Sequence, residues 1–166
     1  MGHSAGGHLA LLYAYTHPMQ IKLVISEAGP TNFVERDNNG NLILPDNNTC
    51  AMAGTTINDP DLITKLTNAS PLTYVTSNAP YTILAYGNGV GPFSIPGLSP
   101  LYTGPQGDGF IPHLHAETLC DSLCNNGVLH QLYTLNGVGH NDFFSLINNS
   151  SYLSMLSSVF STLNTN

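Results

Sequence analysis

The stretch Gly2-His3-Ser4-Ala5-Gly6, running on into Gly7-His8-Leu9-Ala10-Leu11-Leu12, decides how the rest of the chain is read. It fits the pattern G-x-S-x-G. A serine with glycine two residues to either side can sit on a turn sharp enough to lift its hydroxyl clear, where bulk at either glycine would collide with neighbouring backbone. The apolar run behind it predicts a helix over 4–16, with a face made of Leu9, Leu12, Tyr13 and the alanines, stopped at His17-Pro18. A helix that starts at a serine points its free N–H groups at the hydroxyl. The N–H of Ala5 is then placed to donate to an oxyanion formed there. The same five residues also describe a glycine-rich helix start with a capping serine. The apolar helix that follows is the context a nucleophile requires.

Working outward, Lys22 to Ser26 reads as a short buried strand broken at Gly29-Pro30, and Asn38 to Asn41 as a loop or hairpin turn. The segment from about 45 to 68 is irregular, then helical over 61–66, with enough apolar residues (Met52, Ile57, Leu62, Ile63) to pack as a cap. Pro80 to Tyr86 is the clearest strand. The Gly- and Pro-rich stretch 88–107 is long for a connection and reads as an insertion. A helix over 115–125, with Leu114, Thr118 and Cys124 among its inner positions, leads through Asn126-Gly127 to a strand over 129–135. A tight turn at 136–140 and an amphipathic helix over 148–163 complete the chain. Alternating helix and strand predicts an α/β fold, a partial doubly wound sheet of about three parallel strands covered on both faces.

Composition narrows the function. Three basic and ten acidic residues make 8% charged residues in a chain of 166, against roughly 25% in an ordinary domain. The bases are Lys22, Arg36 and Lys65, and none follows Leu66. Nucleic acid and anionic membrane surfaces both need clustered cations, so neither is expected as a partner, and no stretch is apolar enough for a membrane span. Cys50, Cys120 and Cys124 are read as small buried hydrophobes, with one bridge left open. They suggest no metal site. The sequons at Asn47, Asn68, Asn148 and Asn149 bear on function only in a secreted protein. Localisation and oligomeric state are open.

His140 lies in a turn after a strand, flanked by Gly139, where an imidazole can reach across to a serine as general base. A surface-loop histidine would also fit that place. Asp108, in Gly107-Asp108-Gly109, is either the carboxylate that orients the imidazole or a turn-forming residue. Asp142 is its rival, able to orient substrate or cap the next helix. His3 is read as packing, His8 as a structural polar group, and His113 and His115 as pocket lining. Glu27 is read as a structural hydrogen-bond partner.

Gly2 to Leu12 resembles the nucleophile segment of carboxylesterases in the hormone-sensitive-lipase and feruloyl/acetyl-xylan-esterase-like group of α/β-hydrolases. Three further segments match that group in order: Ala69-Ser70-Pro71-Leu72-Thr73-Tyr74-Val75 with Ala79-Pro80, Asp108-Gly109-Phe110-Ile111-Pro112, and Gly137 to Phe143. The resemblance implies a serine esterase that forms an acyl-serine intermediate. Its catalytic residues would be Ser4, Asp108 and His140, in the chain order of that fold. Ala5 would lie in the oxyanion hole, and no metal or cofactor would be needed. The substrate would be a small or polysaccharide-linked ester, such as an acetyl or feruloyl ester. A prolyl-oligopeptidase-type serine peptidase and a non-catalytic hydrolase-like fragment are the alternatives.

The chain departs from the group in two ways. Asp108 lies 21 positions (108 − 87) past the end of the preceding strand, farther than usual. The half-sheet and the His-Gly-Gly-type loop that precede the nucleophile do not stand ahead of Ser4. Residues 1–166 are therefore expected to be the C-terminal part of a single hydrolase domain, with a bare sheet edge, a poorly covered face on the Ser4 helix and little activity alone.

Overall fold

The structure, a computed structural model, describes residues 1–37, 39–43, 47–89, 107–148 and 150–164. Its centre is a parallel sheet in the order β1 (Gly2–His3), β2 (Leu23–Glu27), β3 (Tyr81–Gly87), β4 (His130–Leu135). Three of these are the expected strands. The fourth, β1, is a two-residue stub formed where the chain runs into Ser4. The helices are α1 (Ala5–Thr16), α2 (Asn47–Met52), α3 (Leu62–Ala69), α4 (Leu114–Asn125) and α5 (Ser150–Asn164). Short 3-10 segments over Pro71–Tyr74 and His140–Asn148 were not anticipated, and neither was α2.

The period-two alternation of the strands divides the core into two layers. Val24, Leu84 and Tyr86 point to one face and pack with Leu11, Ala14 and Tyr15 of α1 and Ala116, Leu119 and Leu123 of α4. Ile25, Ile83, Ala85 and Leu135 point to the other and meet Val138, Phe143, Leu146, and Met155 and Val159 of α5. Each fully buried side chain of this size contributes about 1.5–3 kcal/mol, so both layers are needed to hold four short strands in register. A third, smaller cluster joins Phe33 and Leu66, with Leu62 and Ala69 against it. It draws α3 and the chain around 33–43 together. Residues 90–106, most of the expected insertion, lie outside the described residues. Asn38 does too, but around it Arg36 and Leu42 form an antiparallel bridge, and the Asp37 carboxylate accepts from the N–H groups of Asn39 and Asn41, each at 2.9 Å.

Two helices turn a different face inward from the one expected. α1 buries Gly7, His8, Leu11, Ala14 and Tyr15, and leaves Leu9 61% and Tyr13 50% exposed. α4 buries His115, Ala116, Leu119 and Leu123, while Leu114 and Cys124 face outward. The cause is the same in both. Each helix carries a histidine on its inner side with one ring nitrogen bonded to main chain just after β2, the other nitrogen of His115 being buried without a partner among the described residues. His8 Nδ1–H donates to the carbonyl of Pro30 at 3.1 Å, and His115 Nδ1 accepts the N–H of Thr31 at 3.0 Å. A polar ring so paired can be buried, and it carries the apolar stripe round with it. The three cysteines are unbridged: Cys50 is buried, Cys120 half-buried and Cys124 exposed.

Candidate active site

Ser4 stands between β1 and α1 with φ 55° and ψ −122°. A non-glycine residue held there costs of order 1–3 kcal/mol, and the surroundings hold it. Ser4 N–H donates to the carbonyl of Glu27 at 2.8 Å, and the carbonyl of Ser4 accepts from His8 N–H at 3.0 Å, closing the first turn of α1. The glycines around it are not equivalent. A Cβ on Gly2 would fall 2.2 Å from the carbonyl oxygen of Gly6, and one on Gly7 2.7 Å from Ser26 Oγ and 2.9 Å from the carbonyl oxygen of Gly2. A Cβ on Gly6 would meet nothing within 4 Å. The expectation that both flanking glycines are sterically required therefore holds for Gly2 and fails for Gly6. Gly7, on the next helical position, turns its Cα toward β2 instead.

Three of the singled-out side chains converge. His140 Nε2 lies 2.9 Å from Ser4 Oγ, and His140 Nδ1 lies 2.9 Å from Asp108 Oδ2. A carboxylate only accepts, so the ring proton sits on Nδ1 and Nε2 is left to accept the serine hydroxyl. Asp108 is 1% exposed, and its other oxygen accepts from the N–H groups of Phe110 (3.1 Å) and Ile111 (2.8 Å). These bonds make Gly107–Asp108–Gly109 a turn and a hydrogen-bonded carboxylate at once, with Gly109 at φ 102° and Gly107 bridged to Pro112. Asp142 is also buried, but its Oδ2 accepts from Gly139 N–H at 2.9 Å. It caps the 3-10 segment that begins at His140.

The loop that carries His140 is pressed onto the end of β3. A Cβ on Gly87 would lie 2.0 Å from the carbonyl oxygen of Val138, which is why that strand ends in glycine. Gly89 N–H donates to the same carbonyl at 3.0 Å. Asn88 bonds to Asn136 Oδ1 (2.7 Å) and accepts from Gly137 N–H (2.8 Å). A glycine ending the clearest strand is the sequence signal for this close approach, and Asn88 carries none.

The remaining candidates are structural in this geometry. Glu27 is buried and accepts from Tyr152 Oη at 2.8 Å, and burial raises its pKa. His8 stacks on Phe33, and burial lowers its pKa. His115 is fully enclosed rather than lining a pocket, and burial pushes its pKa down to about 3. His113 bonds to Thr134 Oγ1 and Glu117. His3, read as packing, lies against His140 and Phe143, and its Nε2 is 2.7 Å from the carbonyl of His140. Ala5 is exposed at the first position of α1, where a helix N–H has no intrahelical partner. Among the described residues no group of three His, Cys, Asp or Glu side chains is placed to hold a metal ion, and no helix is long and apolar enough to cross a membrane.

Solved structures with this fold include a truncated form of a carbohydrate esterase from gut microbiota, with a TM-score of 0.60 at 16% identity, over 93% of this chain and 58% of that one. An acetyl ester-xyloside bifunctional hydrolase from Caldicellulosiruptor lactoaceticus has a TM-score of 0.60 at 17% identity, over 98% and 55%. The propionate-bound esterase Est2 of Thermogutta terrifontis has a TM-score of 0.59 at 17% identity, over 98% and 53%. At such identities the likeness is one of fold, an α/β-hydrolase-like sheet, and the chain spans a little over half the length of each of these three. No curated protein matches it. The BD-FAE family model matches residues 1–89, more than half of the 166 residues, and the chain belongs to the BD-FAE family.

Proposed function

We propose that this chain carries the reacting centre of a carboxylic ester hydrolase that works through an acyl-serine intermediate. Ser4 Oγ attacks the ester carbonyl carbon while its proton passes to His140 Nε2. Asp108, through Oδ2, keeps the His140 proton on Nδ1 and balances the positive charge that forms on the ring. The carbonyl oxygen, now negative, takes a hydrogen bond from Ala5 N–H and the field of the α1 N-terminus. Collapse expels the alcohol, which takes the proton back from His140, and water then cleaves the acyl-serine by the same relay in reverse.

The observation that carries this reading is the unbroken line of hydrogen bonds from Ser4 Oγ through His140 to buried Asp108, starting from a strained serine. BD-FAE membership and folds shared with a carbohydrate esterase and an acetyl ester hydrolase support an ester substrate. We take that substrate as a small acyl group, acetyl or feruloyl, on plant polysaccharide or a small alcohol. The expected cap segment, of which α3 packs at the cluster of Phe33 and Leu66, is read as a cap on the single hydrolase domain.

A fluorophosphonate probe tests the reading in one turnover. The 166-residue chain should gain a single adduct, located by mass spectrometry on Ser4, and Ser4→Ala should gain none. An adduct elsewhere, or equal labelling of both proteins, ends this assignment. Turnover of p-nitrophenyl acetate, measured for the chain and for Ser4→Ala, is the second readout and should be lost in the variant. Hydrolysis of peptide amides in preference to esters would move the reading to a serine peptidase.

A further inference from the structure

The main chain of His140 is tied at both of its polar groups. Its N–H donates to the carbonyl of Asp108 at 2.8 Å. Its own carbonyl lies 2.7 Å from His3 Nε2. A carbonyl can only accept, so the His3 proton at this contact is on Nε2. His3 is the last residue of β1 and the residue before Ser4. The strand that aims the serine thus also grips the backbone of the histidine facing it, 137 positions away in sequence.

We propose that His3 is a positioning residue for His140, setting the distance between the imidazole and Ser4 Oγ by holding the His140 carbonyl to β1. The proposal rests on the reading that Ser4 and His140 react together. The loops of Asp108 and His140 are bonded to each other twice, and to the end of β3 through Gly89 and Val138. They form one body beside β3, while Ser4 directly follows β1, two strands away in the sheet. The bond from the His3 ring to the His140 carbonyl joins the two bodies, independently of the Ser4–His140 contact that must break and re-form in each cycle. The flat His3 ring also fills the space against the rings of His140 and Phe143, with centroids 5.0 and 5.3 Å away. A misplacement of 1 Å can cost about 10²-fold in rate.

This grip suits a neutral ring. A positive His3 would keep its Nε2–H but oppose the imidazolium that forms on His140. Burial holds the pKa of His3 down, and His140 acts in the same direction. The bond to the His140 carbonyl and the charge of Asp108 oppose them. Glu27 is the register partner of His3 on β2, and its carboxylate accepts from Tyr152.

Two variants separate the hydrogen bond from the packing. His3→Phe keeps a flat ring against Phe143 and loses the donor; His3→Gln keeps an N–H donor. In the ¹⁵N-labelled 166-residue chain, histidine-ring spectra report the tautomer of His3 and the Nδ1 proton that His140 shares with Asp108. The expected result is an Nε2–H tautomer for His3. In His3→Phe the His140 Nδ1 proton should be lost to exchange and fluorophosphonate labelling of Ser4 should slow about 10²-fold. In His3→Gln both should stay within about threefold of wild type. A His3→Phe protein that matches wild type in both readouts overturns the proposal, and so does a His3→Gln protein as impaired as His3→Phe. Should His3→Phe fail to fold, the His3 tautomer and His3→Gln decide alone: a proton on Nδ1, or loss of the His140 signal in His3→Gln, sinks the idea. Ser4→Ala separates this from the catalytic reading. It should abolish labelling and leave the His140 proton in place. A wild-type chain that never labels, yet whose His140 proton still depends on His3, would keep the positioning role and remove the esterase.

Discussion

Asp108 and His140 are joined twice, by main chain and by side chain: His140 N–H donates to the Asp108 carbonyl at 2.8 Å, and the His140 ring donates through Nδ1 to Asp108 Oδ2 at 2.9 Å. The carboxylate therefore cannot drift from the imidazole without pulling the two loops that carry them apart. Asp142, two residues beyond His140, spends its Oδ2 on Gly139 N–H instead.

Replacement of the two acids should separate them. Asp108→Asn keeps an oxygen for the N–H groups of Phe110 and Ile111, so the fold should survive, but an amide facing Nδ1 favours the wrong tautomer. Loss of that orientation costs about 10⁴ in kcat in a serine hydrolase. Asp142→Asn keeps an acceptor for Gly139 and should stay within about tenfold. Esterase assays or labelling rates check this, and the opposite ranking would transfer the role to Asp142.

The glycines around Ser4 should differ in the same way. Gly6→Ala puts a methyl where nothing lies within 4 Å, and alanine is about 0.8–1 kcal/mol better than glycine inside a helix. Denaturant melts should show a neutral to stabilised protein. Gly2→Ala pushes a methyl into the backbone of Gly6, and overpacking of this kind costs typically about 1–3 kcal/mol or more. Gly2→Ala should be clearly destabilised, and equal melting of the two variants would contradict the geometry.

Stability should fall in mild acid. His115 is buried neutral, with its pKa pushed down to about 3 by burial, and burial lowers His8 as well. A histidine whose folded pKa lies below its unfolded value, about 6.5, binds a proton more readily in the unfolded chain. Stability from keeping it neutral is then present above pH 6.5 and declines as pH falls from there toward 3. In His115→Asn, whose side-chain oxygen can still accept from Thr31 N–H, the chain should be less stable at pH 7, from the void left behind, and lose less between pH 6.5 and 4. Urea midpoints across that range test it; an unchanged slope would mean that His115 does not contribute.

The exposed face of α1 gives a final expectation. Leu9 and Tyr13 are exposed on the outer side of α1, and an uncovered apolar face favours association. Leu9→Gln should raise the concentration at which the chain stays monodisperse, judged by light scattering, without lowering its melting temperature. A fall in melting temperature would show that Leu9 packs in the folded chain.

How much of this was legible in sequence depends on the range of the interaction involved. The strands over 23–27, 81–87 and 130–135, the helix behind Ser4 and the parallel sheet follow from runs and periods of apolar residues, which are local signals. The three residues of the hydrogen-bonded line were each marked by neighbours in sequence: glycines at 2 and 6, Gly109 after Asp108, Gly139 before His140. What local signals could not supply was phase and closure. Counting only apolar side chains put Leu9, Leu12, Tyr13 and the alanines on the inner face of α1, where Ala14 is indeed buried and Leu9 and Tyr13 are exposed, and Leu114, Thr118 and Cys124 on that of α4. His8 and His115 are buried in their place, each with one ring nitrogen paired to main chain distant in sequence, at Pro30 and Thr31. Gly6 resembled a required glycine, and Gly7 proved to be the crowded one, since the clash is with Ser26 on another strand. Whether Asp108 or Asp142 faces His140 was likewise open until the chain closed on itself. Composition and spacing determine which residues can do chemistry and which elements carry them. Which atoms meet is set by contacts between segments tens of residues apart, and only the packed sheet brings those together.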